Sequence, residues 1–210
     1  VALGLLAIKG IGESAKLAGL FTLIEITGLL LVIWAGRSTL TNIGISDVLH
    51  FDPAVGLSGV MGGAFLAFYA FIGFEDMVNV AEEAKNPRRT MPLAILFSLI
   101  LSTLLYLAVV VVAVKAVEPN LLAKSEAPLS LVYEKSGASH SILLAIIGIT
   151  AAVNGVVVQV IMGSRILYGL ARQGWLSERL AEVNHKTKTP VLATLVIVAA
   201  MILTTTLLPL

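Results

Sequence analysis

The feature that most constrains this chain is a set of apolar runs, each long enough to cross a lipid bilayer. A hydrocarbon core of ~30 Å takes ~20 mostly apolar residues per helix. Such runs recur near residues 17–36, 58–81, 91–117, 141–164 and 191–210, with a stump at 1–7. Composition agrees, at 58% apolar and 13% charged with a mean hydropathy of +0.97, which points to membrane rather than to a large soluble core. The expected fold is therefore all-α, a polytopic transmembrane bundle forming a single domain over residues 1–210. The chain has no cysteine, so disulfides and thiolate metal sites are excluded. A net charge of +1 with no basic patch interleaved with aromatics gives no footprint for nucleic acid. Val1 and Leu210 both lie inside apolar runs, and the expectation is a piece of a longer protein.

Basic residues between the runs set an orientation, because cytoplasmic loops carry an excess of Lys and Arg. Lys9, Lys16, Lys85, Arg88, Arg89, Arg165, Arg172, Arg179, Lys186 and Lys188 occupy alternate connections, whereas the others hold only Arg37, Lys115, Lys124 and Lys135. The first set is expected on the cytoplasmic side.

The second full run departs from the pattern. Val60 to Phe71 reads as a helix rich in aromatic and small residues, but Ile72-Gly73-Phe74 follows, and then two adjacent carboxylates, Glu75 and Asp76. A buried charge costs ~2.5 to 3.5 kcal/mol on insertion scales, and glycine weakens helices. The spacing predicts a discontinuous helix at about 58–84, its freed backbone lining a site; irregular backbone is tolerated at membrane depth only where protein or a water-filled cavity satisfies it. Capping is the other reading of Glu75 and Asp76, since acids suit the start of a helix.

Other polar residues within or beside the runs carry two readings each. Glu25, between Ile24 and Ile26, lies ~12 Å from the cytoplasmic start of its run, too deep to reach headgroups easily. It is either an intramembrane proton or cation site or structural glue between helices. Asn154, near the centre of the run at 141–164, can likewise bond across helices or coordinate a cation, and Gly148, Gly155 and Gly163 would admit a close neighbour. Asp47, His50 and Asp52 match no metal motif and read as a solvated loop. Glu82 and Glu83 sit where the helix macrodipole disfavours anions, and read as half of a cytoplasmic gate or as solvated acids. Residues 91–117, with a single Tyr106, read as scaffold. Residues 128–133 suit one short amphipathic outer helix, and 164–183 a helix lying along the cytoplasmic interface.

Two stretches then carry a resemblance. Phe68-Tyr69-Ala70-Phe71-Ile72-Gly73-Phe74-Glu75, with Ala81-Glu82-Glu83, Lys85-Asn86-Pro87-Arg88-Arg89 and Met91-Pro92, resembles the sixth transmembrane helix and following loop of amino acid permeases of the amino acid–polyamine–organocation (APC) superfamily. Ser164 to Gly174, leading to Val183 to Pro190, is similar to the family's stretch after helix eight. On that resemblance the chain runs from the end of the family's helix four through helix nine of twelve. It implies part of an inverted-repeat fold, with substrate held between broken helices one and six. The carbonyls of Ala70, Phe71 and Ile72 would face an α-amino group, Tyr69, Phe71 and Phe74 would shape the side-chain pocket or the gate above it, and Glu75 matches an acidic position of proton-linked members. Where some proton-coupled members carry a lysine on helix five, this chain has Glu25. If Glu25 and Asn154 face one another, as helices five and eight do at the family's cation site, the pair could bind sodium, or Glu25 could carry a proton.

The expected function is secondary active transport of amino acids or related amines by alternating access, through the cell membrane, with proton coupling favoured over sodium. Expected partners are the small-molecule substrate, a proton or sodium, and membrane lipids, with no cofactor, no resident metal and no nucleic acid. The sequence offers no HExxH, no histidine-rich helix face and no serine with a histidine base within a run, which argues against an intramembrane enzyme. A non-transporting sensor or channel of the same fold is the other rival.

Overall fold

The structure is a computed structural model that describes residue 4 and residues 11–40, 56–73, 76–79, 81, 84–138 and 141–207. Every regular element among them is helical: α1 (Ile11–Ala35), α2 (Arg37–Leu40), α3 (Gly56–Tyr69), α4 (Asp76–Asn79), α5 (Pro87–Ala116), α6 (Pro119–Lys124), α7 (Pro128–Lys135), α8 (Ser141–Arg172), a 3-10 turn (Glu178–Ala181) and α9 (Val191–Leu207). Three stretches, Lys16–Ala35, Pro87–Ala116 and Ile142–Arg172, are long and apolar enough to cross a membrane, and Gly56–Tyr69 and Val191–Leu207 are shorter apolar helices. Leucines and phenylalanines such as Leu23, Phe65, Phe97, Leu104 and Leu107 stand exposed along these helices. In a lipid solvent that exposure carries no penalty, so the outward faces can be as apolar as the packed ones.

The helices satisfy their own polar groups, as hydrocarbon requires. Thr204, Thr205 and Thr206 follow one another inside α9, and each hydroxyl donates to carbonyls three and four residues back. The hydroxyls of Thr22, Thr103 and Thr150 donate to the carbonyl four residues back in α1, α5 and α8. Proline starts three helices at a position whose N–H would have no partner: Pro87, Pro119 and Pro128. Because Pro87 can open a helix, α5 begins four residues before the expected 91.

The chain divides into two compact units, one of Val1–Ile26 with Ile146–Leu210, the other of Thr27–Ala145. In the second, α5 is the support against which α2, α4 and α7 pack. Val109 and Val112 of α5 are buried, together with Val32 and Ala35 at the end of α1 and Val132 and Tyr133 of α7. Gly36, just past α1, touches the Val112 side chain so closely that no Cβ would fit without displacing it. Arg37 stacks over the Trp34 ring at 4.3 Å and donates to the Trp34 carbonyl at 3.1 Å, joining an aromatic belt residue to a cation at the helix C-terminus. In the first unit Val157, Val160, Ala171, Ala193 and Thr194 are buried. Gly163 lets Ile197 of α9 come to 3.1 Å of where its Cβ would be, whereas the space beside Gly148 and Gly155 is open among the described residues.

One expected element is different. Residues 164–183 do not form a separate interfacial helix: α8 continues without interruption to Arg172. Its 32 residues span ~48 Å at 1.5 Å per residue, well beyond a ~30 Å hydrocarbon core, so the last turns emerge from the membrane. Arg165 to Arg172 contain no proline and only one glycine, so nothing local ends the helix there. It stops at Gly174, whose φ of +80° suits glycine, with the Trp175 amide reaching back to the Leu170 carbonyl at 3.0 Å. The same device, with Gly137 at φ +84° and Ala138 N–H to the Tyr133 carbonyl, ends the turn after α7. The α7 helix covers Pro128–Lys135 where 128–133 was expected, and α6 is an additional short helix.

Candidate functional site

The helix break lies where the sequence predicts it. At the end of α3 the amides of Ala70, Phe71 and Ile72 turn to carbonyls three residues back, those of Ala67, Phe68 and Tyr69, at 3.0, 3.0 and 3.3 Å. This tightening into 3-10 geometry precedes Gly73, whose φ of +119° is a backbone conformation that L side chains rarely adopt. The chain then restarts as α4, with the Asp76 amide on the Gly73 carbonyl at 3.2 Å and Asp76 in its first turn. An acid there suits the positive end of the short helix. α4 is described over Asp76–Asn79, and residues 80, 82 and 83 of the expected discontinuous helix to about 84 lie outside the described residues. No residue of α3 or α4 is buried within the chain.

Aromatic rings surround the break. Tyr69 meets Phe65 and Phe68 edge-on, at centroid distances of 5.5 and 6.5 Å. Phe71 meets Tyr106 of α5 edge-on at 5.3 Å, and the Tyr106 hydroxyl donates to the Ala70 carbonyl at 2.9 Å. Residues 91–117, read as scaffold, also bring Tyr106 against the break. Tyr106 is the functional candidate the sequence reading missed, and the signal was available: a phenol hydroxyl inside an apolar span, too far from its own backbone to bond there, needs a partner on another element. The expected site residues Tyr69, Ala70, Phe71, Ile72 and Gly73 lie together at the break, while Phe74 and Glu75 lie outside the described residues. So do Asp47, His50, Asp52, Glu82 and Glu83.

The second expected cluster also comes together. Glu25 is two residues from the midpoint of α1, ~15 Å from its Ala35 end at 1.5 Å per residue. Its Oε1 accepts a hydrogen bond from Asn154 Nδ2 at 2.8 Å, across 129 residues of sequence. Asn154 is only 7% exposed, and its Nδ2 also lies 3.5 Å from the Thr22 hydroxyl. Its Oδ1 is buried with no hydrogen-bond partner among the described residues. Glu25 and Thr22 are one helical turn apart, so α1 offers a carboxylate and a hydroxyl on one face to one carboxamide on α8. No cluster of three histidine, aspartate or glutamate side chains capable of holding a metal occurs among the described residues.

These features define a polytopic, all-helical membrane protein with a discontinuous helix. The sequence pattern of the amino acid permease family matches the chain over residues 1–210, and the chain belongs to that family, within the APC superfamily. The family and its relatives are transporters, not enzymes. The chain is 31% identical over 186 residues to the branched-chain amino acid permease BcaP of Bacillus subtilis (strain 168), covering 88% of this chain and 39% of that protein. It is 33% identical over 202 residues to the vacuolar cationic amino acid transporter 2 of Arabidopsis thaliana, covering 92% and 31%. It is also 32% identical over 190 residues to the mitochondrial cationic amino acid transporter 3 of the same plant, covering 89% and 31%. The chain therefore spans between about a quarter and two-fifths of the length of the curated relatives it matches.

Proposed function

We propose that the chain is the central part of a longer permease that moves amino acids or related amines across the cell membrane by alternating access, coupled to protons. The observation that carries the reading is the interruption of α3 at Ala70–Gly73. A half-helix that ends inside the membrane presents carbonyl oxygens and the negative end of its dipole, a suitable partner for an α-ammonium group. Tyr69, Phe71 and Ile72 supply apolar and aromatic surface beside those carbonyls, suited to a substrate side chain. Relatives named for branched-chain and for cationic amino acids bracket the substrate class. The test is Gly73→Leu in the full-length protein reconstituted in liposomes. Space is open beside Gly73, so the substitution is opposed by its φ of +119° rather than by a clash. Uptake is expected to vanish while the protein still reaches the membrane, and full uptake refutes a site built on the break. Counterflow separates a carrier from a channel or sensor, because only a carrier accelerates exchange with substrate on the far side.

Proton coupling rests on Glu25, a carboxylate at the centre of a span whose described side-chain partner is a neutral amide. A second reading has an observation of its own. The orphan Oδ1 of Asn154 beside the Glu25 carboxylate is an oxygen pair suited to a hard cation, so sodium could be the coupling ion. Uptake driven by a proton gradient in sodium-free buffer supports the first reading, and uptake that needs sodium supports the second.

A further inference from the structure

We propose that Tyr106 is a positioning residue for substrate: its hydroxyl holds the peptide group at the end of the broken helix so that the following carbonyls meet the substrate's ammonium group. The inference rests on the reading of the break as the binding site and goes beyond it by assigning the group that keeps that site in shape.

The break weakens the helix's own hydrogen bonding. Its amides at 70–72 make only 3-10 bonds, whose geometry is poorer than that of an α-helix, and its flanking helices bury no side chain within the chain. Tyr106, by contrast, stands on the 30-residue α5, one turn before the buried Val109 and two turns before the buried Val112. Two contacts run from it to the break, the hydroxyl to the Ala70 carbonyl at 2.9 Å and the ring to the edge of Phe71 at 5.3 Å. The carbonyl of Ala70 and the amide of Phe71 belong to one planar group, so fixing the oxygen fixes the plane through which the chain enters Phe71 and Ile72. A carbonyl has two lone pairs, so the hydroxyl also leaves Ala70 able to accept a second bond. Preorganised acceptors bind more tightly because their ordering does not have to be supplied on binding.

Tyr106→Phe removes only the hydroxyl and keeps the ring against Phe71. In the full-length permease we expect KM to rise about three- to tenfold, the range of one net hydrogen bond, with Vmax and membrane abundance nearly unchanged. Because the affected contact is to backbone and ammonium, the rise is the same for substrates that differ only in side chain. Equilibrium binding to the purified variant shows the same shift in Kd. Tyr106→Leu, which also removes the ring contact, adds a change in side-chain preference. An unchanged or lowered KM for Tyr106→Phe, a fall in Vmax alone, or a rise limited to one kind of side chain overturns the proposal. The Gly73→Leu protein separates the two levels: if it loses uptake while Tyr106→Phe keeps its KM, only the role of Tyr106 fails. If Gly73→Leu transports normally, the site and the inference fall together.

Discussion

Glu25 and Gly73 are informative for opposite reasons. Gly73 matters for what it lacks: without a Cβ it takes a φ of +119°, and a side chain there would be strained by about 1 to 3 kcal/mol even though space is open beside it. Glu25 matters for what it keeps at mid-membrane depth, a carboxylate that accepts one short bond from Asn154. On the proton reading, uptake by the parent protein rises as the outside pH is lowered against a neutral interior. Glu25→Gln keeps the hydrogen-bonding shape but cannot release a proton, and its uptake is expected to be flat across the same pH range. A variant that still responds to the proton gradient as the parent does would move the coupling group elsewhere. Both residues were visible in the sequence, because a glycine beside two acids and a lone acid among isoleucines conflict with the apolar spans around them. That Asn154 is the partner of Glu25 was not visible in either residue's surroundings; it came only from the family resemblance, and the 2.8 Å bond makes it specific.

The elements divide by how local their causes are. Proline at N1 started α5, α6 and α7, and glycine at positive φ ended α7 and α8, all by rules that act within five residues. The length of α8 was misread because the arginines at 165 and 172 suggested an interface, although nothing between them breaks a helix. The close approach of the α1–α2 junction to α5 depends on a contact no periodicity reveals, Gly36 against Val112. Val112 is fully buried and β-branched, so it has little freedom to move aside. Gly36→Ala is expected to cost about 1 to 3 kcal/mol by overpacking, seen as a lower melting temperature of the detergent-purified permease. Adding Val112→Ala should recover part of that loss, a coupling that independent sites would not show. Equal, additive losses would mean that the two groups do not meet.

At the scale of the molecule, the positions of Lys and Arg predict which side each connection faces. These 210 residues contain no cysteine, so single cysteines introduced at exposed positions report sidedness without interference from the rest of this stretch. Gln173→Cys, past the end of α8, is expected to react with an impermeant maleimide only in inside-out vesicles, and Glu126→Cys, between α6 and α7, only in right-side-out ones. The reverse pattern would invert the proposed orientation.

By itself the sequence determined what depends on neighbours along the chain. The apolar spans, the prolines and glycines that start and stop helices, and the interruption at Gly73 all follow from hydropathy and backbone preference over a few residues. Only the tertiary structure decided which polar group meets which. The Tyr106 hydroxyl reaches a carbonyl 36 residues away, and Gly36 is pressed against Val112. The physical reason is that hydrocarbon solvates no polar group, so each must find a partner, yet many partners would satisfy it equally and only the packing of distant helices selects one.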